Sequence, residues 1–151
     1  MAVSQTADYA LRAVVWLAQH RGQPQTAPRL AEATGVPSSY LPKVLQPLIR
    51  DGLLSAQRGL HGGYSLVHDP AGLSVLDVIN SVDPLPRIDT CPLGPAHHHE
   101  KLCPLHRLLD GACADAERRF ALAHITDLFS EQTPDDASTT DAPGTNLPTP
   151  H

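Results

Sequence analysis

The densest run of chemistry-bearing side chains is CPLGPAHHHEKLCPLH, residues 91–106. Cys91, His97, Cys103 and His106 fall in it with the spacing C-x5-H-x5-C-x2-H. Thiolate and imidazole together suit zinc, or an iron-sulfur cluster of mixed ligation. Prolines inside the run reduce the conformational entropy lost when it is ordered around a metal. His98 and His99 adjoin His97, so a small shift of the loop exchanges one imidazole for another. The third cysteine, Cys113, sits in GACADAERR, where a small buried apolar role competes with ligation. Ligation by all three cysteines would use the spacing C-x11-C-x9-C, with Cys113 essential and His106 dispensable. An odd number of cysteines confined to residues 91–113 fits local metal or redox chemistry better than a disulfide framework. The bland reading of the run is an ordinary loop whose thiols react directly with oxidants.

A metalloenzyme would need a general base or nucleophile near such a site. Glu100 is the only acid inside the run, and the chain has no HExxH, no Gly-rich phosphate loop and no GxSxG turn. The expectation is a protein that is not an enzyme. Its 151 residues suit one compact domain with appendages. No apolar run reaches the roughly 18 residues of a membrane span, and the start, MAVSQTADYALRA, lacks a basic stretch followed by an apolar one. A cytoplasmic location is therefore expected.

The net charge of −5 hides an asymmetry. Residues 1–63 hold six Lys or Arg against three Asp or Glu, and the remainder five against thirteen. A basic first part joined to an acidic second part is the pattern expected if only the first part meets phosphates.

The elements that must position these groups follow from periodicity. From Gln5 to His20, apolar Ala7, Ala10, Leu11, Val14, Val15 and Ala18 recur at three and four, predicting a helix with one buried face. Thr26 is placed to cap a second helix through Thr34, with Gly35 stopping it. Ser38 is the expected cap of a third helix whose Tyr40 or Leu41, Val44, Leu45 and Leu48 face inward, with Pro47 bending it. LLSAQ and YSLVH flank RGLHGG, a hairpin signature with Arg58 and His61 at the tip. Ser74 and Asp77 form a capping box for a fourth helix to about Val82. A final helix is predicted from Pro104 to about Phe129, with an apolar stripe of Leu105, Leu108, Leu109, Ala112, Ala116, Phe120, Ala123 and Leu128. That stripe is too long for so small a core to cover alone. Residues 131–151 are polar and proline-bearing, predicting a disordered tail.

Three short helices and a glycine-tipped hairpin make a winged helix-turn-helix, a mainly α fold with a small β-hairpin wing. Residues 1–83 are assigned to this DNA-binding domain, 84–104 to a sensor loop, and 105–130 to a long C-terminal dimerisation helix. Ser38, Ser39, Tyr40 and Lys43 begin the third helix, where hydroxyls and an ammonium reach phosphates or base edges. Arg58 and His61 on the wing would make the second contact.

The strings TADYALRAVVWLA, SSYLPKVLQPLIRDGLL, QRGLHGGYSL and LSVLDVINSVD, in this order, resemble the IscR/NsrR-type winged-helix transcriptional regulators over roughly residues 1–130. The resemblance implies a dimeric bacterial regulator of a palindromic promoter site, its long helix crossing over the partner's. It also implies a cluster site, since cluster-binding members carry C-x5-C-x5-C and some add a histidine three residues later. Cys91, Cys103 and His106 match three of those positions, and His97 stands where the central cysteine would be. Imidazole in place of thiolate removes negative charge and favours a two-iron two-sulfur cluster over a four-iron one. Asp8 matches an acidic position from which other members draw a ligand in the partner's first helix.

The expected function is a regulator, most simply a repressor, whose promoter binding follows an iron-sulfur cluster responding to redox, iron or nitric oxide. The alternative keeps the DNA-binding fold and gives the loop structural zinc or no metal, with sensing through thiols, a small molecule or a protein partner. A pure protein-interaction module is the remaining rival.

Overall fold

A computed structural model of the chain describes residues 3–91 and 102–130. Helix α1 (Gln5–Gln19) starts where Ser4 Oγ accepts the Ala7 N–H at 3.2 Å. It buries Ala7, Ala10, Ala13, Val14, Leu17 and Ala18. That face includes Ala13 and Leu17 beyond the predicted set, whereas Leu11 and Val15 are only partly covered. Four alanines on the face let neighbouring elements approach its backbone closely. Helices α2, α3 and α4 and the hairpin all pack around it.

Helix α2 (Ala27–Thr34) follows Thr26, whose hydroxyl makes no capping bond, and ends at Gly35 in the left-handed conformation, φ 70°. The expected Ser38 cap of the third helix is corrected: α3 is Leu41–Arg50, and Tyr40 occupies the cap position. Pro42 has no N–H to donate to the Ser38 carbonyl, so the helical ladder starts later. The Tyr40 and Leu41 amides instead converge on the Pro37 carbonyl, at 2.9 and 3.1 Å, and Ser38–Tyr40 form a turn. Leu41, Val44, Leu45 and Leu48 face inward as predicted, and α3 is continuous through Pro47.

Strands β1 (Leu54–Gln57) and β2 (Gly63–Leu66) pair antiparallel, Leu54 opposite Leu66 and Gln57 opposite Gly63. Gln25 adds a third rung, exchanging both backbone bonds with Tyr64 at 2.9 and 2.8 Å. Gly63 has φ 149°, and a side chain there would meet the Gln25 backbone at 2.7 Å. Helix α4 (Val75–Val82) carries the predicted capping box, Asp77 N–H to Ser74 Oγ at 3.1 Å and Ser74 N–H to Asp77 Oδ2 at 2.9 Å.

The last helix departs most from expectation. Helix α5 is Pro104–Leu122, not Pro104 to Phe129. Its ladder breaks because Val75 N–H bonds to the Ala123 carbonyl at 2.8 Å and Ile125 N–H to the Leu73 carbonyl at 2.9 Å. This rung turns the chain back and buries Ile125 completely in the core of the winged domain. A short helix α6 (Asp127–Ser130) follows. None of the nineteen residues of α5 is buried.

Between α4 and α5 the chain is tied down at Arg87. Its Nε and Nη2 donate to the two Asp110 oxygens at 2.7 and 2.9 Å, and its Nη1 to Glu117 Oε2 at 2.9 Å. Asp110 also accepts the Ile88 N–H at 2.9 Å. The Arg87 fork, with the Ile88 amide second, holds the Asp110 carboxyl down to about 2 from an ordinary 3.8.

Two outcomes follow from this packing. Ile125→Ala removes a fully enclosed side chain and is expected to lower the unfolding free energy by about 2–5 kcal/mol, measured by urea denaturation. A depressed carboxylate stabilises the fold above its ordinary value, and that stability goes as pH falls toward the folded value. The midpoint gap between the wild-type chain and Asp110→Asn should therefore hold from neutral pH down to about 4 and shrink from there toward about 2.

Candidate metal centre and nucleic-acid interface

Cys103 occupies the cap position of α5, and its Sγ accepts the His106 N–H at 3.5 Å. A residue and its neighbour three positions on share a helix face, so the His106 ring lies over the same turn. Its Nδ1 stands 3.0 Å from Cys103 Sγ and 3.4 Å from Cys91 Sγ. The ligand atoms of Cys91, Cys103 and His106 all lie within 4.8 Å of one another. Cys103 is buried, and the other two are partly covered. The His106 amide holds the Cys103 thiol below its ordinary value against the opposing effect of burial, and the Cys91 thiol acts in the same direction. A lowered thiol pKa favours the thiolate, the form that ligates metal.

The donor set fits a metal. Two soft sulfurs and one imidazole nitrogen converge from two segments, the one ending at Cys91 and the start of α5. Donors to one tetrahedral zinc would stand about 3.6 Å apart, from bond lengths of about 2.3 and 2.1 Å. His97, His98 and His99 lie outside the described residues. Cys113 is seven residues beyond His106 along α5, about 10 Å of helix, and is not in the cluster. Asp8 stands in the first turn of α1, paired with Arg12 at 2.8 Å, and is not in the cluster either.

Ser38, Ser39 and Lys43 are exposed around the start of α3, and Arg58 and His61 at the hairpin tip. Tyr40 is half-buried. Its hydroxyl is 2.9 Å from the Thr6 hydroxyl and its ring meets Tyr9 edge-on at 5.4 Å. The Thr6 contact, then Lys43, lowers the Tyr40 hydroxyl pKa, and the Lys43 ammonium stands 5.1 Å from the Tyr40 ring centre. Tyr40 thus joins α1 to α3 and seats Lys43. Sequence reasoning missed Leu60, 94% exposed between Arg58 and His61, for which only its place in the hairpin turn was a signal. It also missed Arg87, since the pairing with Asp110 spans 23 residues and leaves no local pattern.

No helix among the described residues is long and apolar enough to cross a membrane. Residues 3–131 match the model of a family described as Rrf2, iron-dependent transcriptional regulator. An rrf2-like HTH-type regulator of Rhodobacter capsulatus is 30% identical over 116 residues, 70% of this chain and 77% of the relative. A regulator of Mycobacterium tuberculosis is 36% identical over 96 residues, 62% of this chain and 60% of that one. Among solved structures, IscR of T. potens superposes with a TM-score of 0.72 at 23% identity, covering 87% of this chain and 88% of that one. CymR of B. subtilis, the global cysteine regulator, gives 0.67 at 22% identity, covering 87% and 98%. The superpositions carry the winged-helix fold, and with the family match over nearly all the described residues they place this chain in the Rrf2 family of DNA-binding transcriptional regulators, which are not enzymes.

Proposed function

We propose that the chain is a cytoplasmic, homodimeric repressor whose binding to a palindromic promoter site follows the state of an iron-sulfur cluster held by Cys91, Cys103 and His106. The convergence of those three donors within 4.8 Å, where the segment after α4 meets the first turn of α5, carries the reading. The family's description as iron-dependent supports iron over other metals. A cluster of this kind supplies a centre that changes charge with redox state and reacts with nitric oxide. His97, or a neighbouring histidine, and Asp8 from the partner subunit complete the ligand set in this proposal, with two-iron two-sulfur as the cluster type. Cys113 keeps a packing role.

The winged domain, 1–83, contacts DNA through Ser38, Ser39, Tyr40 and Lys43 at the start of α3 and through Arg58 and His61 on the wing. Residues 84–104 sense, and α5, Pro104–Leu122, holds the dimer, the chain beyond it returning to the winged domain. Leu105, Leu108, Leu109 and Leu122 on α5 are 60%, 72%, 46% and 79% exposed, an apolar face that a second copy would cover. The two recognition helices then sit at a spacing fixed by the α5 pair, and rearrangement at Cys91 and Cys103 changes it.

A second reading is favoured by the compactness of the donors, which suits one ion: structural zinc, with the signal elsewhere. Anaerobic purification with iron, sulfide and zinc counted per chain separates the two. Iron and sulfide in similar amounts support the cluster; zinc alone moves the reading to the second.

Three outcomes test the rest. Replacing Cys91 and Cys103 together with Ala should abolish metal binding and leave promoter binding indifferent to nitric oxide, read by fluorescence anisotropy; retained responsiveness overturns the sensor assignment. Lys43→Ala and Arg58→Ala should each weaken promoter binding and make the log–log salt slope shallower by about 0.9 per lost phosphate contact. Leu108→Glu should shift the protein from dimer to monomer in analytical ultracentrifugation, with DNA affinity falling in step.

A further inference from the structure

Segment 84–91 leaves α4 and carries Cys91 to the donor cluster. Its only ion pairs among the described residues are the two Arg87 makes with α5, four residues before Cys91. The acceptors, Asp110 and Glu117, stand two turns apart on one helix face, and His106 lies one turn before Asp110 on that face. The two segments that supply the donors are thus fastened side by side one turn from the site. The fork is bidentate, and the carboxylate that takes it also accepts the Ile88 amide, which fixes the backbone direction just before Cys91. Arg87 and Glu117 are partly exposed, so solvent screens the contact and its contribution to global stability is modest. Its geometry matters more than its energy: a guanidinium fork admits one orientation where an ammonium admits many.

We propose that Arg87 and Asp110 are the positioning pair of the metal centre, holding Cys91 against Cys103 and His106 before any metal arrives. This rests on the assignment of those three residues as ligands. With the fork closed, binding does not have to order Cys91. With it open, Cys91 departs with its segment, and two donors remain on α5. The same pair is a mechanical link from the segment after α4 to α5, beside the direct packing of the two helices, so a change at the sulfurs reaches the dimer helix through Asp110.

The test uses the full-length, reduced protein and Co2+ as the probe, whose thiolate charge-transfer band reports sulfur ligation directly. Arg87→Ala and Asp110→Asn should weaken Co2+ binding by about 10-fold to 100-fold, the range for losing a group that orients a ligand. Arg87→Lys, keeping the charge and giving up the fork, should fall between. Arg118→Ala, which breaks another surface pair of α5 with Asp115, should leave the affinity unchanged. Wild-type affinity in Arg87→Ala overturns the proposal.

A second readout needs no metal. In a Cys113→Ser background, diamide oxidises a Cys91–Cys103 dithiol to the disulfide, taking up the two electrons and two protons released. The rate reports how often the sulfurs meet. It should drop about tenfold when Arg87 becomes Ala; an equal rate overturns the proposal. Absence of Co2+ binding by the wild-type chain would instead remove the ligand assignment, while the disulfide rate still decides whether Arg87 holds Cys91 in place.

Discussion

Two backbone hydrogen bonds, Val75 N–H to the Ala123 carbonyl and Ile125 N–H to the Leu73 carbonyl, set the layout of this molecule. They stop α5 at Leu122 and send the chain back to bury Ile125 among the side chains of the winged domain. α5 has no fully buried residue; it is held by the partly buried Ala116 and Phe120 against the core and by what is fastened at each end. The rung fixes its C-terminal end, and Arg87, Cys103 and His106 fix its first turns. Leu105, Leu108 and Leu109 near its start and Leu122 at its end face outward. A helix held in this way passes a displacement at one end along its length, because packed helices shift as units.

The donor cluster is assembled by ordinary local rules put to a second use. An N-cap residue accepts the amide of its third successor; here the acceptor is a sulfur, and the third successor is the histidine whose ring faces that sulfur. Two of the three donors are therefore delivered by the start of one helix. The third comes from a segment with no regular structure of its own, so its place rests on the Arg87 fork and the buried Leu85 beside it.

The DNA-facing end depends on similar supports. The wing is a two-stranded hairpin, marginal alone, and the Gln25–Tyr64 rung fastens it to the start of α2. Gly63 permits that approach, since any side chain would strike the Gln25 backbone. Tyr40, braced by Thr6 and Tyr9, links α3 to the first turn of α1. The groups that reach DNA in the proposed function are thus presented by parts whose positions are set from α1 and α2.

Sequence alone determined whatever local physics decides: the four amphipathic or capped helices of the winged domain, the hairpin around RGLHGG, the Ser74–Asp77 capping box, and the proximity of Cys103 to His106 three residues on. Period, cap chemistry and turn glycines act over a few residues, so they can be read in order along the chain. The start of α3 was misplaced because Pro42 removes a donor that the spacing of apolar residues does not register. The end of α5 was misplaced because its apolar pattern runs on through Leu128, while the bonds that break the helix come from Leu73 and Val75, about fifty residues earlier. The ligand run of residues 91–106 was read from the sequence, but Arg87 on Asp110 and Gln25 on Tyr64 were decided only by tertiary structure. Each joins residues far apart in the chain, and such pairings become visible only once the core has brought the segments together.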